Sequence, residues 1–160
     1  MEKALPEFRV LYANSNIIPT ARVYQGMDSM KSVLREILDE ADACIGFGSV
    51  DDVYTTLGDY FPSFTRERMR RKIPLRVILR DTVLARKRQE LGPEQLREVR
   101  IIPEQSDLAS LTFIWKNKIA MFSLKKEMVT LVIESGELST IQRAMFELIW
   151  SSLPVPNASA

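Results

Sequence analysis

Three short segments carry the residue types best suited to chemistry at a site. Gly46-Phe47-Gly48-Ser49 follows an apolar run and opens a helical pattern. Backbone N–H groups at such a turn are free, and the helix dipole favours a phosphate or carboxylate there. Arg80-Asp81 closes a second apolar run, where a guanidinium can clamp an anionic or hydroxylated ligand while the carboxylate accepts sugar hydroxyls. Glu134-Ser135, at the end of a later apolar run, is read as lining the same crevice. Each has a plainer reading. Ser49 with Asp52 forms a capping box, and Asp51 and Asp52 repel an anion close by. Asp51 also stands where a dinucleotide fingerprint needs its third glycine. Asp81 can simply cap a helix, leaving Arg80 in solvent.

The types that are missing restrict the chemistry further. The 160 residues include no histidine and one cysteine, Cys44. Ser-His-Asp and Cys-His catalysis, histidine acid–base steps, His-ligated metals and thiolate zinc cages are thereby excluded. Carboxylate chemistry, a Ser-Lys pair, a lysine nucleophile or no catalysis remains. Cys44 lies in an apolar run and reads as a small buried side chain. The acidic pairs Asp39-Glu40 and Asp51-Asp52 diverge on helices and read as solvated. Arg66, Arg68, Arg70, Arg71 and Lys72 form the densest basic cluster, read as a solvated helix face. No cofactor is expected.

Composition sets the frame for these residues. Apolar residues make up 46% and charged residues 27%, ordinary globular usage, and the net charge of +1 gives no whole-molecule pull toward nucleic acid or a membrane. No apolar run reaches the roughly 18–20 residues of a membrane span, and the expected location is the cytoplasm.

The periodicities predict the supporting elements. Ala4–Tyr12 reads as a short helix, Arg22–Gln25 as a strand, and Met27–Ala41 as a helix with apolar residues three and four apart. Ala43–Phe47, Pro74–Leu79 and Val99–Ile102 read as buried strands. Between them fall helices capped at Ser49 and at Asp81-Thr82, and Phe64–Arg71 with a basic outer face. Leu111–Trp115 and Lys118–Phe122 form a hairpin around Lys116-Asn117, and Met128–Ile133 adds a strand. A last helix is capped by Ser139 and Gln142. This alternation predicts an α/β fold with a mixed, mostly parallel sheet and helices on both faces. The expected organisation is an N-terminal arm or linker remnant over 1–18, one domain over 19–152, and a flexible tail over 153–160.

Read in order, several stretches resemble the C-terminal domain of TrmB-type transcriptional regulators. They are Pro19-Thr20-Ala21-Arg22-Val23-Tyr24-Gln25-Gly26 with the helix from Met27, then Cys44-Ile45-Gly46-Phe47-Gly48-Ser49. Arg66–Arg80, Leu96-Arg97-Glu98-Val99-Arg100, Trp115-Lys116-Asn117-Lys118-Ile119-Ala120 and the helix through Phe146-Glu147-Leu148-Ile149-Trp150 follow. The resemblance implies a phospholipase D-like fold used for effector binding and dimer contacts, with DNA met through a domain absent from this chain. The catalytic motif of the phospholipase D superfamily falls on Ala109–Asn117. There Leu111 and Lys116 take the approximate lysine and aspartate places, and no histidine exists to act as nucleophile.

The expectation is therefore a non-catalytic effector-sensing and dimerisation domain of a TrmB-like transcriptional regulator. It is expected to bind a small polar metabolite or sugar, as a homodimer, and to make no membrane contact. The alternatives are a ligand-free protein interaction module and a phospholipase D-like enzyme with a non-histidine mechanism.

Overall fold

The computed structural model describes residues 18–156. The expected helix at Ala4–Tyr12, nearly all of the N-terminal arm and the last part of the tail lie outside these residues. The chain order is β1 (Thr20–Gln25), α1 (Met27–Glu40), β2 (Cys44–Gly48), α2 (Val50–Leu57), α3 (Tyr60–Arg70) and β3 (Leu75–Arg80). Then come α4 (Val83–Glu90), a single 3-10 turn at Pro93–Gln95, β4 (Arg97–Ile102), β5 (Leu111–Trp115), β6 (Lys118–Phe122), β7 (Val129–Glu134) and α5 (Gly136–Ser152).

The strands form one sheet in the order β1-β7-β6-β5-β2-β3-β4. Only β2–β3 and β3–β4 pair in parallel. The pairings β1–β7, β7–β6, β6–β5 and β5–β2 are antiparallel. The expected mostly parallel sheet is thus corrected to a mixed, mostly antiparallel one. The reason lies in β1. Although a helix separates it from β2, it pairs with β7 at the far edge and makes no parallel unit with its sequence neighbour.

Side-chain alternation divides the core between the two faces of the sheet. On one face, α1 supplies Met30, Val33, Leu34, Ile37 and Leu38, the spacing that brings apolar residues to one side of a helix. They pack with Val53, Phe64, Phe113 and Trp115. On the other face, Ile45, Ile78, Ile114 and Ile119 meet Phe146 and Trp150 of α5 alone. Helices therefore cover both faces, unequally.

Charged residues pin α1 to the strands. Glu36 accepts from Arg22 of β1 at 2.6 Å and from Lys118 of β6 at 2.8 Å. Glu40, read as solvated, instead accepts from Lys118 and from the Trp115 indole N–H, both at 2.9 Å. The basic stretch on α3 is also not a uniform solvated face. Arg68 is 1% exposed and donates to the carbonyls of Ile73 at 2.6 Å, Gln95 at 2.6 Å and Leu96 at 3.1 Å. It turns inward because it satisfies the carbonyl oxygens where the chain leaves α3 and enters β4. Arg70 and Arg71 pair with Glu67.

Candidate functional site

The parallel strands β2 and β3 end side by side, and their C-terminal ends bring Gly48, Ser49, Arg80 and Asp81 to one edge of the sheet. The two glycines serve packing. A Cβ on Gly46 would lie 2.6 Å from the Thr112 carbonyl oxygen and 2.9 Å from the Phe113 ring, and one on Gly48 would lie 2.9 Å from the Ser110 oxygen. Both are small so that β5 and the Phe113 ring can lie close against β2. Phe47 points to the opposite face, edge-on to Phe146 with ring centroids 5.3 Å apart. It supports α5 and is remote from the strand-end groups by orientation.

Ser49 is 1% exposed and caps α2, accepting from the Asp52 N–H at 3.4 Å. Arg80 Nη2 reaches the same hydroxyl at 3.4 Å, a long contact. Asp81 is committed elsewhere: Arg86 grips its carboxylate through Nε at 2.7 Å and Nη2 at 2.5 Å. The neighbouring Thr82 caps α4, accepting from the Ala85 N–H at 3.1 Å. Three polar atoms at this edge are buried without a hydrogen-bond partner among the described residues: Arg80 Nε, Asp51 Oδ2 and Asp52 Oδ2. These three atoms are closed off from solvent, so a ligand at the rim would meet the remaining polar atoms of the half-buried Arg80, Asp51 and Asp52 side chains. The sequence reading set Asp51 and Asp52 aside as solvated acids. Their position just after the Ser49 cap was the signal that they face the strand ends.

Glu134 and Ser135 do not line this crevice. β7 runs antiparallel to the hairpin partner β6, and Glu134 pairs with Lys118 and Thr20 at the sheet edge opposite to Gly48. Ser135 is the N-cap of α5, accepting from the Leu138 N–H at 3.2 Å. The helix therefore starts one turn earlier than the Ser139 and Gln142 reading, and Ser139 lies within it, its hydroxyl donating to the Gly136 carbonyl at 3.1 Å.

Beneath Gly48 and Ser49 lies a cavity of ≈ 30 Å³ walled mainly by Val53, Phe61, Val77, Leu111 and Phe113. That is about the room of a water-sized group, far below the roughly 300 Å³ at which ligand pockets begin. A metabolite would therefore sit on the rim and not inside. Leu111, at the approximate place of the superfamily's catalytic lysine, is 3% exposed and lines this apolar cavity. Lys116 lies in the β5–β6 turn with a left-handed φ of 47°, at the other end of β5. Cys44 is buried, and burial pushes its thiol up to about 12, which removes it as a nucleophile at neutral pH. Sequence reading also missed Arg88 and Arg97 in the cavity wall. Strand alternation held the clue for the latter, since Arg97 shares a face with the buried Val99.

No family model matches the chain. No curated protein sequence matches it either. Solved structures do match. TrmBL2, described as an archaeal chromatin protein with a novel mode of DNA binding, superposes with a TM-score of 0.59 at 15% identity over 93% of this chain. NucT from Helicobacter pylori gives 0.62 at 11% identity, covering 86% of this chain and 99% of its own. Phosphatidylserine synthase from Haemophilus influenzae gives 0.58 at 8% identity over 88% of this chain. Likeness at such identities shows the fold alone: the chain shares the α/β fold of these three proteins, the phospholipase D-like fold that the ordered segments implied. Its architecture agrees with the TrmB-type resemblance of the ordered sequence segments. The chain spans 60% of the archaeal protein's length and 41% of the synthase's. Among the described residues, no helix is long and apolar enough to cross a membrane.

Proposed function

We propose that this chain is a non-catalytic effector-sensing and dimerisation domain of a TrmB-like transcriptional regulator, DNA being met through a domain outside it. The observation that supports this most is the character of the strand-end crevice. It gathers the half-buried side chains of Arg80, Asp51 and Asp52 around the Ser49 cap, a mixed donor and acceptor set. A small polar metabolite such as a sugar would bridge these groups on the rim. It would shift the regulator only as far as it binds one arrangement of the domain more tightly than another.

Dimer formation is supported by α5, whose outer side exposes Leu138, Ile141, Met145 and Leu148, the last at 74% exposure. Steps of three and four residues set them in one stripe, a pattern suited to packing against a second helix. The TrmBL2 likeness supports the regulator reading, although its DNA-binding mode is a property of that protein.

A thermal-shift screen over sugars, sugar phosphates and nucleotides tests sensing. A ligand that raises the melting temperature of the wild type and not of Arg80→Gln supports it; flat curves across the set sink it. The shallowness of the crevice favours a second reading, a ligand-free interaction module. A tight dimer in sedimentation combined with no response in the screen would select that. Multiple-turnover cleavage of a phosphodiester substrate would overturn both.

A further inference from the structure

β1, β7 and β6 hold three charged residues, Arg22, Glu134 and Lys118, and strand alternation turns all three toward the α1 side. Arg22 and Lys118 meet Glu36 there. The other side of the same strands is uncharged. Val23, Leu131 and Met121 stand across it in one row, which continues through Thr112 and Phe47. Val23 is 42% and Met121 45% exposed. Apolar side chains left open where charge is depleted have the composition of an interface core.

α5 forms a wall beside this floor. Arg143 donates to the Lys116 carbonyl and Glu147 pairs with Arg76, so the flank they share faces the end of the sheet that holds the β5–β6 turn. At about 100° per residue, Leu138 and Met145 fall on the opposite flank, on the side of Met121 and Leu131. Ile141 and Leu148 fall on the crest, turned away from the helix's own sheet, and Leu148 is 74% exposed. A further segment laid beside α5 on the same sheet would cover floor and flank and leave the crest bare. A second copy covers all three. A two-fold axis parallel to α5 turns it over, so that each α5 crest rests on the other protomer's floor and the helices meet flank to flank. The exposed parts of Val23, Met121, Leu138, Ile141, Met145 and Leu148 amount to on the order of 600 Å² per protomer, comparable with the apolar share of the roughly 800 Å² each partner buries in a standard interface.

We infer that the open half of the sheet is the docking floor for α5 of a second copy, with Ile141 of each protomer seated on Met121 and Leu131 of the other. The two α5 helices then lie parallel in one layer between two sheets, joined through Leu138 and Met145. The inference rests on the proposed dimer and specifies which surface α5 meets in it.

The test uses the full chain. Sedimentation compares the wild type with Met121→Glu, which should weaken the dimer about tenfold or more, since a two-fold interface meets each substitution twice. Cys44 is buried, so introduced cysteines report alone. On oxidation, Met121→Cys combined with Ile141→Cys should give an interchain disulfide, and either change alone should give none. A wild type that is monomeric throughout ends the dimer reading and this one together. A dimer that persists in Met121→Glu, or that Ile141→Cys cross-links by itself, leaves the α5 dimer standing and overturns its docking on the sheet. An intrachain link between Phe8→Cys and Met121→Cys overturns it too, by giving the floor to the chain's own N-terminal segment. Should Met121→Glu not fold, the cross-links decide.

Discussion

On one face of the sheet, four helices close over a continuous apolar core, with Phe113, Trp115 and Phe122 at 2%, 0% and 1% exposure. On the other, α5 alone lies over Ile45, Ile78, Ile114 and Ile119, and the sheet beyond it stays open. There Met121, Leu131 and Val23 stand in register across β6, β7 and β1, and Met121 and Val23 are exposed. The exposed stripe of α5 adds to the same side of the molecule. The first face resembles the interior of a finished domain. The second leaves an apolar surface uncovered among the described residues, the surface on which the proposed dimer would form. The difference teaches that, in the proposed dimer, stability and association would be held by separate surfaces, so mutation should separate them.

The largest effects should come from the core itself. Phe113→Ala should cost about 4 kcal/mol, because rigid strands and helices on that face cannot collapse into the space. Phe146→Ala should cost less, about 3 kcal/mol, because α5 is a single helix free to settle toward the sheet. Urea unfolding of both variants measures this, and equal losses would break the contrast between the faces.

Next in size is the ionic clamp on the closed face. Glu36→Gln should cost about 1–3 kcal/mol at neutral pH by leaving Arg22 and Lys118 part-buried with a weaker acceptor. Burial pushes the Glu36 carboxyl up, but hydrogen bonds from Arg22 and Lys118 outweigh it and hold the group below its ordinary 4.5. A depressed carboxyl stabilises the fold fully above its unfolded pKa and loses that contribution as pH falls through the folded one. Wild-type stability should therefore drop in acid more steeply than that of Glu36→Gln. Parallel acid-unfolding curves would assign the pH dependence to other groups.

A smaller loss is expected at the start of α5. Ser135→Ala removes its N-cap and should cost about 1 kcal/mol, read as a shifted urea midpoint with unchanged slope. Smallest of all should be Ile141→Glu and Leu148→Glu, within about 0.5 kcal/mol of the wild type for the isolated protomer. The same variants should abolish dimers in sedimentation. Retained dimers would move the interface away from α5.

Much of the fold was legible from local pattern. The helix at Met27–Glu40, the hairpin Leu111–Phe122 and the buried strands follow from residue spacing and turn chemistry within short windows. The strand-end grouping of Ser49 with Arg80 was legible too, since β2 and β3 are linked by helices and pair in parallel. Glu134 and Ser135 were misplaced for the same reason that the sheet was read as mostly parallel. A strand's own residues carry no record of which way its neighbour runs, so which end of the sheet a terminus reaches follows only from pairing.

Residue types alone therefore settled what chemistry is unavailable here: without an imidazole anywhere, no placement of the chain can supply one. They also indicated most of the described elements, though not every boundary, because helix and strand periods are short-range properties of the backbone. Position in space decided the rest. The inward turn of Arg68 onto Gln95 and Leu96, the ties of Lys118 to α1 and the open side of α5 arise from contacts between segments distant in sequence. Burial and charge balance are sums over everything that surrounds a group, and only the folded chain specifies those surroundings.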